Sequence, residues 1–151
     1  LQNANCKLQI DISDEQSLIQ VDATRMREAI AAILTDEGFT FAMISVAIVD
    51  DAAIRPLNAR YLGHDDATDV LSFVLEQEDH RLEGEVIVSA ETAQSTAARF
   101  GWRADDELLL YVIHGTLHLV GYDDLTDEAL PVMRARERHY LSHFGLEPRY
   151  E

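Results

Sequence analysis

From Leu108 to Val120 the chain is apolar on nearly every side, and two histidines, His114 and His118, interrupt the run. Leu108, Leu109, Leu110, Val112, Ile113, Leu117, Leu119 and Val120 leave a helix here without a polar face, so it must lie at the centre of a fold. Residues four apart share one face of a helix, so the two imidazoles point to one place. Buried imidazoles require partners. Gly121 follows three residues after His118 and suits the left-handed residue that closes a helix. The chain then turns back, and Asp124 brings a carboxylate toward the same point. The spacing defines a three-ligand site, His114–His118–Asp124, with a fourth position open for water.

This spacing matches the H-E-x-x-H-x-x-G-x-x-H pattern of metzincin peptidases with two substitutions. Asp124 stands at the third ligand position, and Gly115 stands where the glutamate general base would be. The site is built to hold a metal without the usual peptidase base. Gly115 inside a helix costs about 1 kcal/mol relative to alanine, so another part of the chain is expected to approach the backbone there.

The length, 151 residues, suits a single domain with a sizeable core. Cys6 is the only cysteine, which rules out an internal disulfide and fits a reducing compartment. No apolar run reaches membrane-spanning length, and the amino-terminal stretch lacks the form of a signal peptide. The expected location is the cytoplasm. The formal net charge is −16, and Lys7 is the only lysine. Such a chain has no global basic footprint for nucleic acid. A polyanion would have to be held by a local arginine cluster, by backbone amides and by a metal. The plain alternative is a well-solvated acidic protein.

In order, Lys7–Ile12 alternates as a first strand. Asp14 caps a helix over 17–37, closed by Gly38. Met43–Val49 is a β-branched strand buried on both faces. A short helix holds Leu57, Asn58 and Tyr61, with Pro56 comfortable only in its first turn. Strands over 69–76 and 85–89 flank a polar hairpin connection at 77–83. An alanine-rich helix covers 90–100. Asp105, Asp106 and Glu107 supply negative charge to the first turn of the central helix. Thr126 or Asp127 caps a last helix that runs to about Phe144, with Pro131 in its first turn. The fold class is α+β: a small mixed four-stranded sheet with helices around a central metal-binding helix.

Other polar residues are less specific. Thr68 and Asp69 are placed to cap local backbone donors. Ser72 fits a buried strand hydroxyl and a ligand contact equally. Arg134, Arg136, Arg138, His139 and His143 make the last helix locally basic, read as a solvated face balanced by Glu137 and the helix dipole. Arg60 and His64 lie near the short second helix, and Arg99 and Arg103 precede the central one. Arginine's planar fork suits phosphate oxygens, but nothing in the spacing of these residues is diagnostic.

HGTLHLVGYDD (residues 114–124) resembles the H-G-x-L-H-L-x-G-Y-D-H motif of the YbeY endoribonuclease family of rRNA maturation factors. LNARYLGHDDATDVLSFVL resembles that family's L-N-x-x-Y-R-x-x-D-x-x-T-D-V-L-S-F-P stretch, and EGEVIVSAETA its G-D-I-V-I-S strand. The order and spacing agree over nearly the whole length. The resemblance implies a zincin-like α+β fold over 1–151, forming one domain. It implies a single-strand-specific, metal-dependent endoribonuclease. Its roles would be maturation of the 16S rRNA 3′ end and ribosome quality control. The implied partners are single-stranded RNA, rRNA, the ribosome and ribosome-associated proteins, with no membrane and no DNA.

The family's metal ligands fall on His114, His118 and Asp124, which would hold one divalent ion, zinc before others. Three positions depart from the family pattern. Asp124 replaces a histidine, which lowers the charge at the site and favours harder ions. Leu62 replaces an arginine, and Arg60 is the candidate phosphate contact in its stead. Val74 replaces a proline. Asp123 or His64 is a candidate for proton transfer. Two other readings compete: a peptidase-like hydrolase using the same metal, and a non-catalytic ribosome-associated factor with a structural metal. A two-His-one-carboxylate iron oxygenase is possible by ligand type, but the small domain and single ligand helix disfavour it.

Overall fold

The computed structural model describes residues 6–63 and 68–150. Along them run β1 (Lys7–Asp14), α1 (Ala23–Asp36), β2 (Phe41–Val49), α2 (Asp51–Leu62), β3 (Val70–Glu78), β4 (Arg81–Ser89), α3 (Ala90–Phe100), α4 (Ala104–Leu119) and α5 (Ala129–Ser142). The strands form one sheet in the order β1-β2-β4-β3. β1, β2 and β4 are parallel, while β3 pairs antiparallel to β4 at the edge. The expected α+β architecture, a mixed four-stranded sheet with helices, is the one observed.

The period-two pattern decides which face of the sheet is covered. Ala42, Ile44, Val46 and Ile48 of β2 and Leu82, Val86 and Val88 of β4 are buried in the main core. On that face α4 packs against β3 and β4 and also touches α1, α3 and α5. It is the central helix that its apolar sequence requires, buried without a break from Asp105 to Ile113. On the opposite face α2 covers a smaller core, in which Val49, Ile54 and Leu71 are buried against Ala47, Leu57, Phe73 and Ile87.

Four local expectations need correction. β2 is not buried on both faces throughout: Met43 is 40% exposed, because α2 covers only the far end of that face. Helix α1 starts at Ala23, where Asp22 accepts the Arg25 N–H. The preceding stretch is held out of the helix by Gln16, whose Oε1 accepts from Leu18 and Ile19 N–H while Nε2 donates to the Ile19 carbonyl. Pro56 lies in the interior of α2 and not in its first turn. Its own position and that of Ala52, whose carbonyl it leaves without an amide donor, are exposed to water. The hairpin connection is shorter than expected: the strands continue to Glu78 and resume at Arg81, with Asp79 at φ 20° in the turn.

The last helix begins at Ala129, whose N–H is taken by Thr126 Oγ1 at 3.0 Å, and Pro131 sits in its first turn as expected.

Gly115 explains how closely α4 meets the sheet. A methyl group there would lie 2.7 Å from Val86 Cγ1, 2.9 Å from Val70 Cγ2 and 3.0 Å from Ser72 Oγ. The expected close approach at this residue is made by β3 and β4. It seats the histidine end of α4 directly on the sheet, which fixes where His114 and His118 can point.

Candidate metal centre

His114 and His118 occupy the last turns of α4. The helix closes with the Gly121 N–H on the His118 carbonyl (3.1 Å) and the Tyr122 N–H on the Leu117 carbonyl (3.0 Å). This is the Schellman pattern, which needs a left-handed residue, and Gly121 supplies it at φ 106°. The chain reverses, and Asp124 faces both histidines. Its Oδ2 lies 3.4 Å from His114 Nε2 and its Oδ1 3.4 Å from His118 Nε2. The two Nε2 atoms are 3.0 Å apart.

Four ligands at about 2.0–2.1 Å around a tetrahedral ion would be separated by about 3.3 Å, close to the separation of the two Nε2 atoms and of each from its nearer carboxylate oxygen. Two imidazole lone pairs at 3.0 Å repel unless a proton or a cation lies between them. The three residues offer ligand atoms that all lie within 4.8 Å of one another, and they are half-buried. The donor set therefore suits one divalent ion.

Behind the triad stands Glu137, wholly buried on α5. Its Oε2 is 2.6 Å from His114 Nδ1. Its Oε1 accepts from Arg134 Nη1 at 2.9 Å and from the Tyr150 hydroxyl. A proton held on Nδ1 by Glu137 leaves the Nε2 lone pair directed at the triad, an arrangement common behind metal-bound histidines. Burial would raise the Glu137 pKa, but the hydrogen bonds from His114, Tyr150 and Arg134 prevail and lower it, so the carboxylate stays ionised. Burial works against a charge on His114, yet the hydrogen bond and charge of Glu137 raise its pKa.

The balanced, solvated face expected of α5 is thus corrected. Glu137 points inward, Arg134 is half-buried against it, and Arg136 is half-buried with Nη2 donating to the Tyr140 hydroxyl. Of these basic residues, Arg138, His139 and His143 are exposed. A signal for this was present: Met133, Glu137, Tyr140 and Leu141 form an inward stripe at helical spacing, with a glutamate inside it.

The remaining candidates separate. Ser72 is half-buried, and its hydroxyl donates to the Gly115 carbonyl at 2.9 Å, which settles it as a strand-to-helix contact. Asp69 accepts its neighbour's N–H, that of Val70, at 2.8 Å, as a local cap. Asp123 is exposed, and its Oδ1 accepts the Leu125 N–H at 2.9 Å, shaping the loop beside Asp124. Arg60 is exposed in the last turn of α2, with its guanidinium carbon 5.4 Å from the centre of the Tyr61 ring. His64 lies outside the described residues.

Beside His114 and Asp124 opens a cleft of about 590 Å³, walled by α3, α4, α5 and the segment bearing Arg149 and Tyr150. Burial and hydrogen bonding distinguish its carboxylates: Glu107 is buried, takes the Trp102 Nε1–H at 2.8 Å, and has its pKa raised chiefly by that burial.

Residues 10–145 match the family model described as Endoribonuclease YbeY. The chain is 38% identical over 148 residues to the Endoribonuclease YbeY of Desulforamulus reducens, covering 92% of this chain and 94% of that protein. It is 37% identical to that of Geobacillus thermodenitrificans, with coverage of 92% and 97%. The solution structure of TM1509 from Thermotoga maritima superposes with a TM-score of 0.62 at 29% identity, covering 88% of this chain and 87% of that one.

Proposed function

The chain belongs to the endoribonuclease YbeY family of metal-dependent RNA hydrolases, and we propose that it cleaves single-stranded RNA at the His114–His118–Asp124 centre, in maturation of the 16S rRNA 3′ end and in ribosome quality control. The carrying observation is the convergence of two imidazole Nε2 atoms and the Asp124 carboxylate, in contacts of 3.0–3.4 Å, where α4 closes. Residues 1–151 act as one endoribonuclease domain in the cytoplasm, on rRNA and with ribosome-associated partners. No helix among the described residues is long and apolar enough to cross a membrane.

His114, His118 and Asp124 would hold a divalent ion, zinc before others, which would supply Lewis acidity to a phosphodiester oxygen and lower the pKa of a water. The chain's own residues do the rest. Glu137 keeps the His114 proton on Nδ1, so that Nε2 is always the ligand atom. Asp124 contributes one negative charge in place of a neutral imidazole. Asp123, exposed at the mouth of the loop, assists proton transfer, and Arg60 contacts a substrate phosphate from the end of α2. Gly115 counts against peptidase chemistry. The space a glutamate base would enter is filled by Val86, Val70 and Ser72.

The test pairs metal analysis with cleavage. Tag-free wild type should carry about one zinc per chain and cut single-stranded RNA; His118→Ala purified identically should do neither. Equal cleavage by the two proteins would assign the activity to a contaminant. Asp123→Asn should lower kcat and Arg60→Ala should raise KM; unchanged values would remove those two roles.

A further inference from the structure

The cleft beside the triad gathers arginines from separate elements of this acidic chain. With 28 acidic residues against 12 basic ones, most of its surface repels a polyanion. Yet Arg99 from the end of α3, Arg134 from α5 and Arg149 from the carboxy-terminal segment all line the cleft that contains His114 and Asp124.

Arg149 and Arg134 are held in place. Arg149 Nη1 donates to the Phe100 and Gly101 carbonyls, both at 3.2 Å. A guanidinium has five N–H donors, so three on Arg149 remain for a ligand. Arg134 is fixed by Glu137 and lies 4.0 Å over the Tyr150 ring. A fixed, planar fork suits the geometry of phosphate oxygens.

The carboxylates of the same cleft have partners of their own. Glu137 takes three donors, Glu107 takes the Trp102 indole and Asp69 takes a backbone amide. Asp124 faces the imidazoles. The volume, about 590 Å³, falls within the usual range for a bound small group.

We infer that this cleft is a subsite for a backbone phosphate of the RNA strand, next to the scissile bond, with Arg149 and Arg99 as its contacts and the Arg134–Tyr150 pair as its wall. This rests on the endoribonuclease reading of the triad. It adds where the strand lies: along α3 and the carboxy-terminal segment.

The experiment measures binding of a cleavage-resistant 2′-O-methyl oligoribonucleotide across a salt series. Each phosphate contact with a single strand contributes about 0.7 to the slope of log affinity against log salt. Arg149→Gln and Arg99→Gln should each weaken binding several-fold and flatten the slope by about 0.7. Metal content should be unchanged. Arg149→Lys keeps the charge and should keep most of the slope, which separates a phosphate contact from a general loss of fold.

Unchanged affinity and slope in both glutamine variants would overturn the subsite. So would inorganic phosphate competing as strongly, per phosphate, as the strand, since the cleft would then be a free-phosphate site. The two layers fail differently. Wild-type cleavage with the same KM in both glutamine variants sinks the subsite alone. Arginine-dependent strand binding without any cleavage sinks the endoribonuclease reading alone.

Discussion

Helix α4 buries ionisable side chains at both ends, and the two ends satisfy them in opposite ways. At the start, Asp105, Asp106 and Glu107 are all buried. Arg25 of α1 reaches Asp105 at 3.0 Å and Asp106 at 2.8 Å, and the Trp102 indole serves Glu107. The helix dipole adds to this. At the other end, His114, His118 and Asp124 face one another. Even Glu137, with Arg134 at its side, turns its other oxygen to His114. Buried charge alone therefore does not mark a functional site. What marks it is a set of ligand atoms turned toward one another beside an open cleft.

The sharpest contrast is in stability. Arg25→Ala strips two buried carboxylates of their partner. Breaking such a pair costs about 3 kcal/mol, toward the low end of the usual range because the Arg25 side chain keeps 15% of its exposure. For a chain this long, that is a fall of about 6–12 °C in Tm, and it should be the same with or without zinc.

His118→Ala should behave in the opposite way. Its zinc-free Tm should stay near the wild type's. It should also lack the gain of about 2.7 kcal/mol that the wild type shows with zinc at 100 times its Kd. Thermal scans of the two variants, each with and without zinc, decide the matter. If zinc-free His118→Ala falls as far as Arg25→Ala, the carboxy-terminal end is structural too and the contrast collapses.

A smaller effect tests how the metal end is supported. Glu137→Gln keeps the shape but removes the charge that holds the His114 proton on Nδ1. Loss of such a supporting carboxylate typically weakens metal binding about 10–100-fold. Competition with a fluorescent chelator should show this. An unchanged affinity would mean that packing against Gly115 and the sheet orients His114 by itself.

The sequence made the centre of this molecule legible because the signals there are local. An all-apolar helix interrupted at i and i+4, then a glycine and a carboxylate, specify α4, its Schellman closure and the triad with no reference to the rest of the chain. Gly115 announced a close contact, though not that β3 and β4 would make it. What stayed hidden depends on contacts distant in sequence. Glu137 reads as one charge among several on a basic helix until α5 is docked and the side chain turns to His114. Tyr150 and Arg149 lie past the last helix, where no periodicity applies, and only their packing brings them to the cleft. The start of α1 was misplaced for a local reason: one side chain, Gln16, takes over the hydrogen bonding that the helix would have used.

The smallest effect concerns Glu107, which belongs to both regions, buried at the start of α4 and lining the cleft at its end. Its pKa is raised above 4.5, first by burial and then by the charges of Asp69 and Glu137, against the hydrogen bonds from Trp102 and Tyr111. Below 4.5 the group is protonated whether the chain is folded or not, and it costs nothing. As the pH rises past that value the unfolded chain ionises first, so stability falls until the folded pKa is passed and then stays level. Glu107→Gln keeps an acceptor for the Trp102 indole and cannot ionise. Its Tm relative to wild type should therefore rise from acid to neutral pH and then level off, in thermal scans over a pH series. A flat or falling difference would mean that Glu107 is satisfied as an anion, as Glu137 is. The cleft would then carry that negative charge, beside its arginines, from a lower pH upward, and any weakening of strand binding by Glu107 would set in at that lower pH.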